Sequence, residues 1–138
     1  AAGADVNQAR TNDGTTPLYM AAQKGHFDVV QHLVAAGADV NQARTDNGST
    51  PLYAAAQSGH VDVVQHLVAA EADVNQCRTD NWATPLHVAA HSGRVDVVTS
   101  LLNFGADITK TLRSGHTAVD IAKTSGHIGI VAVFEMER

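Results

Sequence analysis

The amino-acid sequence predicts an all-α fold, a solenoid of stacked helix-turn-helix units with projecting β-hairpin-like loops. A Thr-Pro-Leu segment begins at Thr16, Thr50 and Thr84, and a weaker Thr-Ala-Val copy begins at Thr117, so the copies are 34, 34 and 33 residues apart. A period of this length is typical of stacked repeat arrays. Each unit is too short to bury its apolar face alone, so it must pack against its neighbours.

The first helix of each unit is predicted to begin at this segment. In the first full unit, Thr16 can cap the free amide groups, and Pro17 suits the first helical position. Leu18 and Ala21 then fall on one side at helical spacing. Gly25 ends this short helix, because glycine adopts the left-handed conformation that is common at helix ends.

A second helix and a loop complete the unit. Asp28 complements the dipole of this helix in its first turn. The apolar residues that follow form a stripe for core packing, namely Val29, Val30, Leu33 and Val34. Gly37 closes the helix, and the next residues run into Asn47-Gly48, a turn signal between extended arms. The sequence therefore predicts a hairpin-like loop after each helix pair.

Composition and charge exclude several classes of function. The formal net charge of −5 and the pI near 5.8 provide no electrostatic footprint for nucleic acid or an anionic membrane. No apolar run approaches the roughly 18 residues of a membrane-spanning helix, and no secretory signal is recognisable. The lone cysteine, Cys77, fits a reducing compartment. We therefore expect an intracellular protein, cytoplasmic or nuclear, that neither binds nucleic acid nor inserts into a membrane.

The eight histidines do not form a recognisable metal or catalytic site. Only His87 and His91 have ligand-like i, i+4 spacing, and zinc needs at least three protein ligands. No nucleotide-binding loop, Gly-x-Ser-x-Gly elbow or Cys-x-x-Cys pair is present in the sequence. We predict no catalytic residues, no metal, no cofactor and no small-molecule substrate, and hence no enzyme.

The motifs Gly-x-Thr-Pro-Leu, Gly-His, Val-Val-x-x-Leu and Gly-Ala-Asp-Val-Asn recur in a fixed order and resemble the ankyrin repeat. The resemblance implies one ankyrin-repeat domain over residues 1–138. It consists of the tail of a preceding repeat, three repeats and a C-terminal capping repeat, with bounds 1–10, 11–44, 45–78, 79–111 and 112–138. It also implies that His26, His60 and His127 hydrogen-bond across the turn between paired helices, where Arg94 stands once.

In the ankyrin family, partners usually contact the concave face of the first helices and the loop tips. The resemblance implies a non-catalytic protein-protein interaction module, monomeric in isolation, that binds another protein through this face. The implied partner-binding residues are Asp13, Thr15, Tyr19, Met20, Gln23, Lys24, Asn47, Ser49, Tyr53, Gln57, Ser58, Asn81, Trp82, Ala83, His91, Ser92, Arg113 and His116. Trp82 is the strongest candidate, because tryptophan often dominates interface energy. Alternatively, Trp82 folds back over Leu86 or the neighbouring loop.

The alternative function follows from the similarity of two units. Residues 12–45 and 46–79 differ at only eight positions, which indicates recent duplication or a designed, consensus-like array. Most of these differences lie in the loop tips and first helix. These positions either contact partners or accumulate neutral substitutions on an exposed face. The alternative is a structural spacer or an engineered repeat scaffold with no intrinsic partner.

Three departures from the family pattern carry further expectations. Glu71 replaces a helix-ending glycine, and it costs roughly 1 kcal/mol if the left-handed conformation is retained. Trp82 replaces a loop glycine. The first three of the four loops, counting the one that follows the tail of the preceding repeat, hold one residue more than the last, so their tips are expected to be longer.

Two loop asparagines, Asn41 and Asn75, each follow an Asp-Val pair. The resemblance implies that they are sites for an intracellular asparaginyl hydroxylase. The alternative is that each asparagine serves only to bond the loop backbone.

Overall fold

The computed structural model describes residues 5–136, and within them eight helices form four consecutive pairs. The first helices of the pairs are α1 (Pro17–Lys24), α3 (Pro51–Ser58), α5 (Pro85–His91) and α7 (Ala118–Thr124). The second helices are α2 (Phe27–Ala35), α4 (Val61–Ala69), α6 (Val95–Asn103) and α8 (Ile128–Met136). The predicted all-α repeat fold is confirmed. Residues 1–4, part of the predicted tail of a preceding repeat, lie outside the described residues, as do residues 137 and 138.

The helices stack in two layers because each unit packs against its neighbours. The first helices contact one another in chain order to form one layer, and the second helices form the other. Ala55, Ala89 and Ala122 occupy equivalent positions in three first helices and are fully buried. Because alanine is small, it allows the axes of neighbouring helices to approach closely.

Each first helix begins at a threonine that caps it. The Oγ1 atoms of Thr16, Thr50, Thr84 and Thr117 accept a hydrogen bond from the backbone N–H three residues later, at 3.1–3.3 Å. These bonds satisfy amide groups that have no partner within the helix. The predicted capping role is confirmed.

The predicted core stripe of α2 is wrong at Val29. Val29 is 47% exposed, whereas the equivalent Val63 and Val97 are buried. Helix α4 packs between α2 and α6, and α6 packs between α4 and α8, so both faces of these helices are covered. Within the described residues no second helix precedes α2, and Val29 faces that uncovered side.

Side-chain amides connect the loops of adjacent units. The Oδ1 atom of an asparagine in one unit accepts the backbone N–H of an aspartate in the next, at 2.7–2.9 Å, in the pairs Asn7–Asp39, Asn41–Asp73 and Asn75–Asp107. Each of these three aspartates in turn accepts the N–H two residues further on. Each such bond contributes roughly 1 kcal/mol net, so together they hold the units in register.

Side chains in the turns between paired helices also form hydrogen bonds to the preceding unit. The resemblance implied hydrogen bonds across the same turn. His127 Nε2 lies 3.0 Å from the carbonyl oxygen of His91. Arg94 Nε donates to the carbonyl oxygen of Gln57 at 3.2 Å. Both acceptors lie in the last turn of the preceding first helix, where carbonyl groups lack intrahelical partners. These side chains therefore satisfy a helix end and link adjacent units.

The loop tips bond to one another through the backbone. The donor and acceptor residues are Thr45 to Asp13, Thr79 to Asn47 and Arg113 to Asn81, with N–H···O distances of 2.8–2.9 Å. Among residues 5–136 the only β-bridge pairs Thr111 with Thr117, so the loops resemble hairpins without regular strands. The first three tips close with an i to i+4 hydrogen bond and the last with an i to i+3 bond, which confirms the predicted difference in length.

Two large side chains occupy left-handed backbone positions that favour glycine. Glu71 follows α4 with φ 74°, and Trp82 lies in the third loop tip with φ 67°. Gly14 and Gly48, the equivalents of Trp82, both have φ 76°. The backbone therefore keeps the same conformation when glycine is replaced, and each replacement costs roughly 1 kcal/mol.

The outer face of the last unit is mixed in polarity. Lys123 and Glu135 are exposed there, but Ile128 is 82% exposed and Met136 is 83% exposed. A capping unit needs a polar outer face. The capping role of residues 112–138 therefore stays a prediction.

His87 is buried and fully hydrogen-bonded at the start of α5. The backbone N–H of Thr84 donates to His87 Nδ1 at 3.0 Å, and His87 Nε2 lies 3.0 Å from the carbonyl oxygen of Lys110. This arrangement suits the neutral ring with its proton on Nε2. Burial lowers the pKa of His87. The side chain thus links the third unit to the fourth.

Replacing Glu71 by glycine is expected to stabilise the domain. Glu71→Gly removes the left-handed strain, and we expect the free energy of unfolding to rise by about 1 kcal/mol in urea titrations. Ala70→Gly is the matched control, because Ala70 has φ −90° and gains nothing from glycine. A Glu71→Gly protein no more stable than Ala70→Gly would contradict the strain.

The burial of His87 predicts a pH-dependent stability. Because the folded pKa lies below the unfolded value of about 6.5, the unfolded chain binds more protons as the pH falls through this value. The stabilisation is therefore complete above about pH 6.5 and is lost below it. We expect the unfolding free energy of the wild type to fall more steeply with acidification than that of His87→Tyr, which carries the residue found at the equivalent Tyr19 and Tyr53. Parallel profiles would refute this.

Candidate functional site

An apolar groove lies between the loop tips and first helices of the third and fourth units. It consists of two adjoining cavities of about 230 Å³ each, which share His91, Leu112 and Ile121. The other residues that line it are Tyr53, Asn81, Ala83, His87, Val88, His116, Thr124 and Ser125. We call this the Leu112 groove.

The groove forms here because Leu112 replaces an arginine of the earlier joints. The guanidinium carbon of Arg44 lies 5.5 Å from the centre of the Tyr19 ring, and Arg78 lies at the same distance from Tyr53. At the third joint the corresponding residue is Leu112, one repeat after Arg78. The side chain at this joint is therefore apolar and shorter, and it lines an open depression.

Trp82 and Arg113 form an exposed pair beside this groove. The guanidinium carbon of Arg113 lies 4.8 Å from the centre of the Trp82 ring, within the range of a cation–π interaction. At the second joint, Gly48 and Thr79 occupy the equivalent positions. They are so close that a Cβ atom added to Gly48 would lie 2.7 Å from the backbone nitrogen of Thr79. Trp82 remains 45% exposed. The expected alternative, in which Trp82 packs on the neighbouring loop, is thus present, and partner contact by its exposed part stays a prediction.

Charges in the first three loop tips are neutralised internally. The ion pairs are Arg10–Asp13, Arg44–Asp46 and Arg78–Asp80. In each pair, hydrogen bonds from the guanidinium hold the pKa of the aspartate below its usual value. In the fourth tip Ser114 takes the place of the aspartate. Arg113 forms no ion pair within the described residues.

The structure divides the predicted partner-binding residues by exposure. The exposed ones are Gln23, Lys24, Gln57, Asn81, Trp82, His91, Arg113 and His116, and the half-buried ones are Met20, Asn47, Ser58 and Ser92. The buried ones are Asp13, Thr15, Tyr19, Ser49, Tyr53 and Ala83. Partner contact is therefore a proposal for the first two groups and for Tyr53 and Ala83, which line the groove, and the other buried side chains support the tips from inside.

Hydrogen bonds explain the burial in the tips. Asp13 Oδ1 accepts the backbone N–H of Thr15 at 2.9 Å. The Tyr19 and Ser49 hydroxyl oxygens are hydrogen-bonded at 3.0 Å between units. A tyrosine and a serine look like surface residues in the sequence, but the joint between two units encloses them.

Among the groove residues that were not predicted from the sequence to contact a partner are His87, Val88, Leu112 and Ile121. A signal for one of them was present, because Leu112 breaks the recurrence of arginine at Arg44 and Arg78. Helical spacing assigns Val88 and Ile121 to the core, and only the packed units reveal that one side of each remains accessible.

The loop asparagines are held by the next unit. Asn41 Oδ1 accepts the N–H of Asp73 at 2.8 Å, and its Nδ2 lies 3.4 Å from the carbonyl oxygen of Glu71. Asn75 Oδ1 accepts the N–H of Asp107 at 2.9 Å. The backbone-bonding role expected as the alternative is therefore present. Hydroxylation of these side chains stays a prediction.

Among residues 5–136, no group of three or more histidine, cysteine, aspartate or glutamate side chains is arranged to hold a metal ion. None of the described helices is both long enough and apolar enough to span a membrane.

Comparison with known proteins agrees with the architecture. A family model for ankyrin repeats in three copies matches residues 2–78, and another for ankyrin repeats in many copies matches residues 86–135. The comparison with curated proteins gives no match. Members of this family are in general protein-protein interaction modules and typically non-catalytic. Since the first model alone covers more than half of the sequence, this chain belongs to the ankyrin repeat family.

Proposed function

We propose that this domain is a non-catalytic recognition module that binds a partner protein through the Trp82–Arg113 pair and the Leu112 groove. The observation that carries the proposal is the conformation of Trp82. A tryptophan at φ 67° is strained, and 45% of it remains exposed to solvent. Strain of this kind is concentrated at functional sites, where it is compensated by the surrounding structure.

The physical mechanism is contact with a preorganised surface. Tryptophan and arginine dominate the energy of protein interfaces when they lie in a well-packed centre. Here the backbone bond from Arg113 to Asn81 and the stacking of Arg113 on Trp82 fix the pair before a partner arrives. Less side-chain entropy is therefore lost on association.

The partner is expected to be another intracellular protein, bound by a monomeric domain. Cys77 is exposed and unpaired, which suits a reducing compartment. A single copy supplies the complete groove and the complete Trp82–Arg113 pair.

A spacer role is favoured for the first two units. Their loop tips carry internally paired charges, and their tyrosine rings lie under Arg44 and Arg78. These tips therefore present few unpaired charges and little exposed aromatic surface to a partner. The alternative function, a structural or engineered scaffold, extends this description to the whole chain.

The variant Trp82→Gly tests the proposal. Glycine removes the backbone strain, so we expect the free energy of unfolding to rise by about 1 kcal/mol. At the same time we expect the immobilised variant to capture its specific partners from cell extract at least tenfold less well, because a tryptophan hot spot contributes about 2 kcal/mol or more. Quantitative mass spectrometry of the captured proteins measures the loss.

Glu71→Gly is the matched control for this experiment. It relieves the same kind of strain at φ 74° but lies at the end of α4, away from the groove. We expect it to capture the same proteins as the wild type. If Trp82→Gly also captured the wild-type set undiminished, the recognition role would be withdrawn in favour of the spacer.

A further inference from the structure

We propose that the segment recognised by this domain is acidic, with a carboxylate that binds Arg113 and an adjacent apolar side chain that enters the Leu112 groove. This inference rests on the proposed function and adds the chemistry of the partner. It concerns the joint between the third and fourth units, where the changes in the repeat pattern include Trp82, Leu112, Arg113 and Ser114.

The unpaired charge of Arg113 is the first argument. Each of the other three tip arginines is held by an aspartate of its own tip. The change from Asp80 to Ser114 leaves Arg113 with a carbonyl acceptor, the oxygen of Thr79 at 3.2 Å, and the Trp82 ring. A guanidinium presents five donors in a planar fork that matches a carboxylate, so most of its capacity is open to a ligand.

The composition of the groove is the second argument. Among the described residues, no aspartate or glutamate lines the groove. Two exposed histidines, His91 and His116, do line it. The nearest acidic group on α7, Asp120, already accepts the backbone N–H of Thr117 at 3.0 Å. A negatively charged segment therefore meets no like charge in the lining of the groove, although the net charge of the chain is −5.

The size and polarity of the groove indicate a peptide side chain as its occupant. The groove is divided into two adjoining cavities of about 230 Å³ each, and this division suits separate side chains of a peptide better than one compact small molecule. Leu112, Val88 and Ile121 supply its apolar surface. An apolar side chain would bury there, while its acidic neighbour reaches the Trp82–Arg113 pair at the rim.

Fluorescence anisotropy with synthetic peptide pools tests this inference. Three pools share leucine and phenylalanine at alternate positions and differ only in the others, which are aspartate and glutamate, asparagine and glutamine, or lysine and arginine. We expect the wild type to bind the acidic pool more tightly than the other two pools. We expect Arg113→Gln to bind the acidic pool about tenfold more weakly than the wild type does, because a charge-assisted pair is lost. The neutral pool should bind both proteins equally.

Lys24→Gln is the control, because it removes the same charge from an exposed position on α1. We expect it to keep the preference for the acidic pool. The inference is overturned if the acidic and neutral pools bind the wild type equally, if Lys24→Gln loses the preference as fully as Arg113→Gln, or if the basic pool or a single-stranded oligonucleotide binds best.

The same experiment separates this inference from the function on which it rests. If the acidic and neutral pools bind the wild type equally and Trp82→Gly weakens both, the groove recognises peptides without the proposed charge selection, and only the inference fails. If no pool binds the wild type, or if Trp82→Gly leaves all binding unchanged, the proposed recognition surface fails as well.

Discussion

Contact between neighbouring units is the interaction on which the whole structure depends, because no unit has a core of its own. Alanines at equivalent positions let the first helices approach, and buried valines such as Val63 fill the second layer between α2, α4 and α6. Where a neighbour is absent from the described chain, the same kind of residue is exposed, as Val29 shows. The energy of this fold therefore lies at the joints between units, and each joint can differ from the next while the helices stay the same.

The candidate site follows from such a difference. At the first two joints, threonine contacts glycine and arginine covers tyrosine, so the tips are neutral and closed. At the third joint, Arg113 contacts Trp82, and Leu112 leaves a groove in front of His87. The backbone bond from Arg113 to Asn81 is the same as its counterparts. The scaffold thus tolerates a complete change of surface chemistry at one joint without a change of path.

Local features of the fold could be predicted from the sequence, because they depend on neighbouring residues. The cap at Thr16 and the left-handed turn at Gly25 need only the few residues around them. The site could be predicted only in part. Trp82 stood out as a departure from the repeat, but the burial of Tyr19 and the role of Leu112 depend on which side chain the next unit places opposite. That information is non-local, since the partners lie some 30 residues apart in the chain.

The backbone ladder between the tips has a consequence for how such a surface can diverge. Because Thr79 and Arg113 donate the same main-chain bond, the side chains at these positions are free to change without a change in the path of the backbone. Glycine faces threonine at the second joint and tryptophan faces arginine at the third, and the backbone of the tip keeps one conformation in both. Selectivity in this array would then evolve one joint at a time, because a substitution in a tip alters the exposed surface while the main-chain bond keeps the neighbouring units in place.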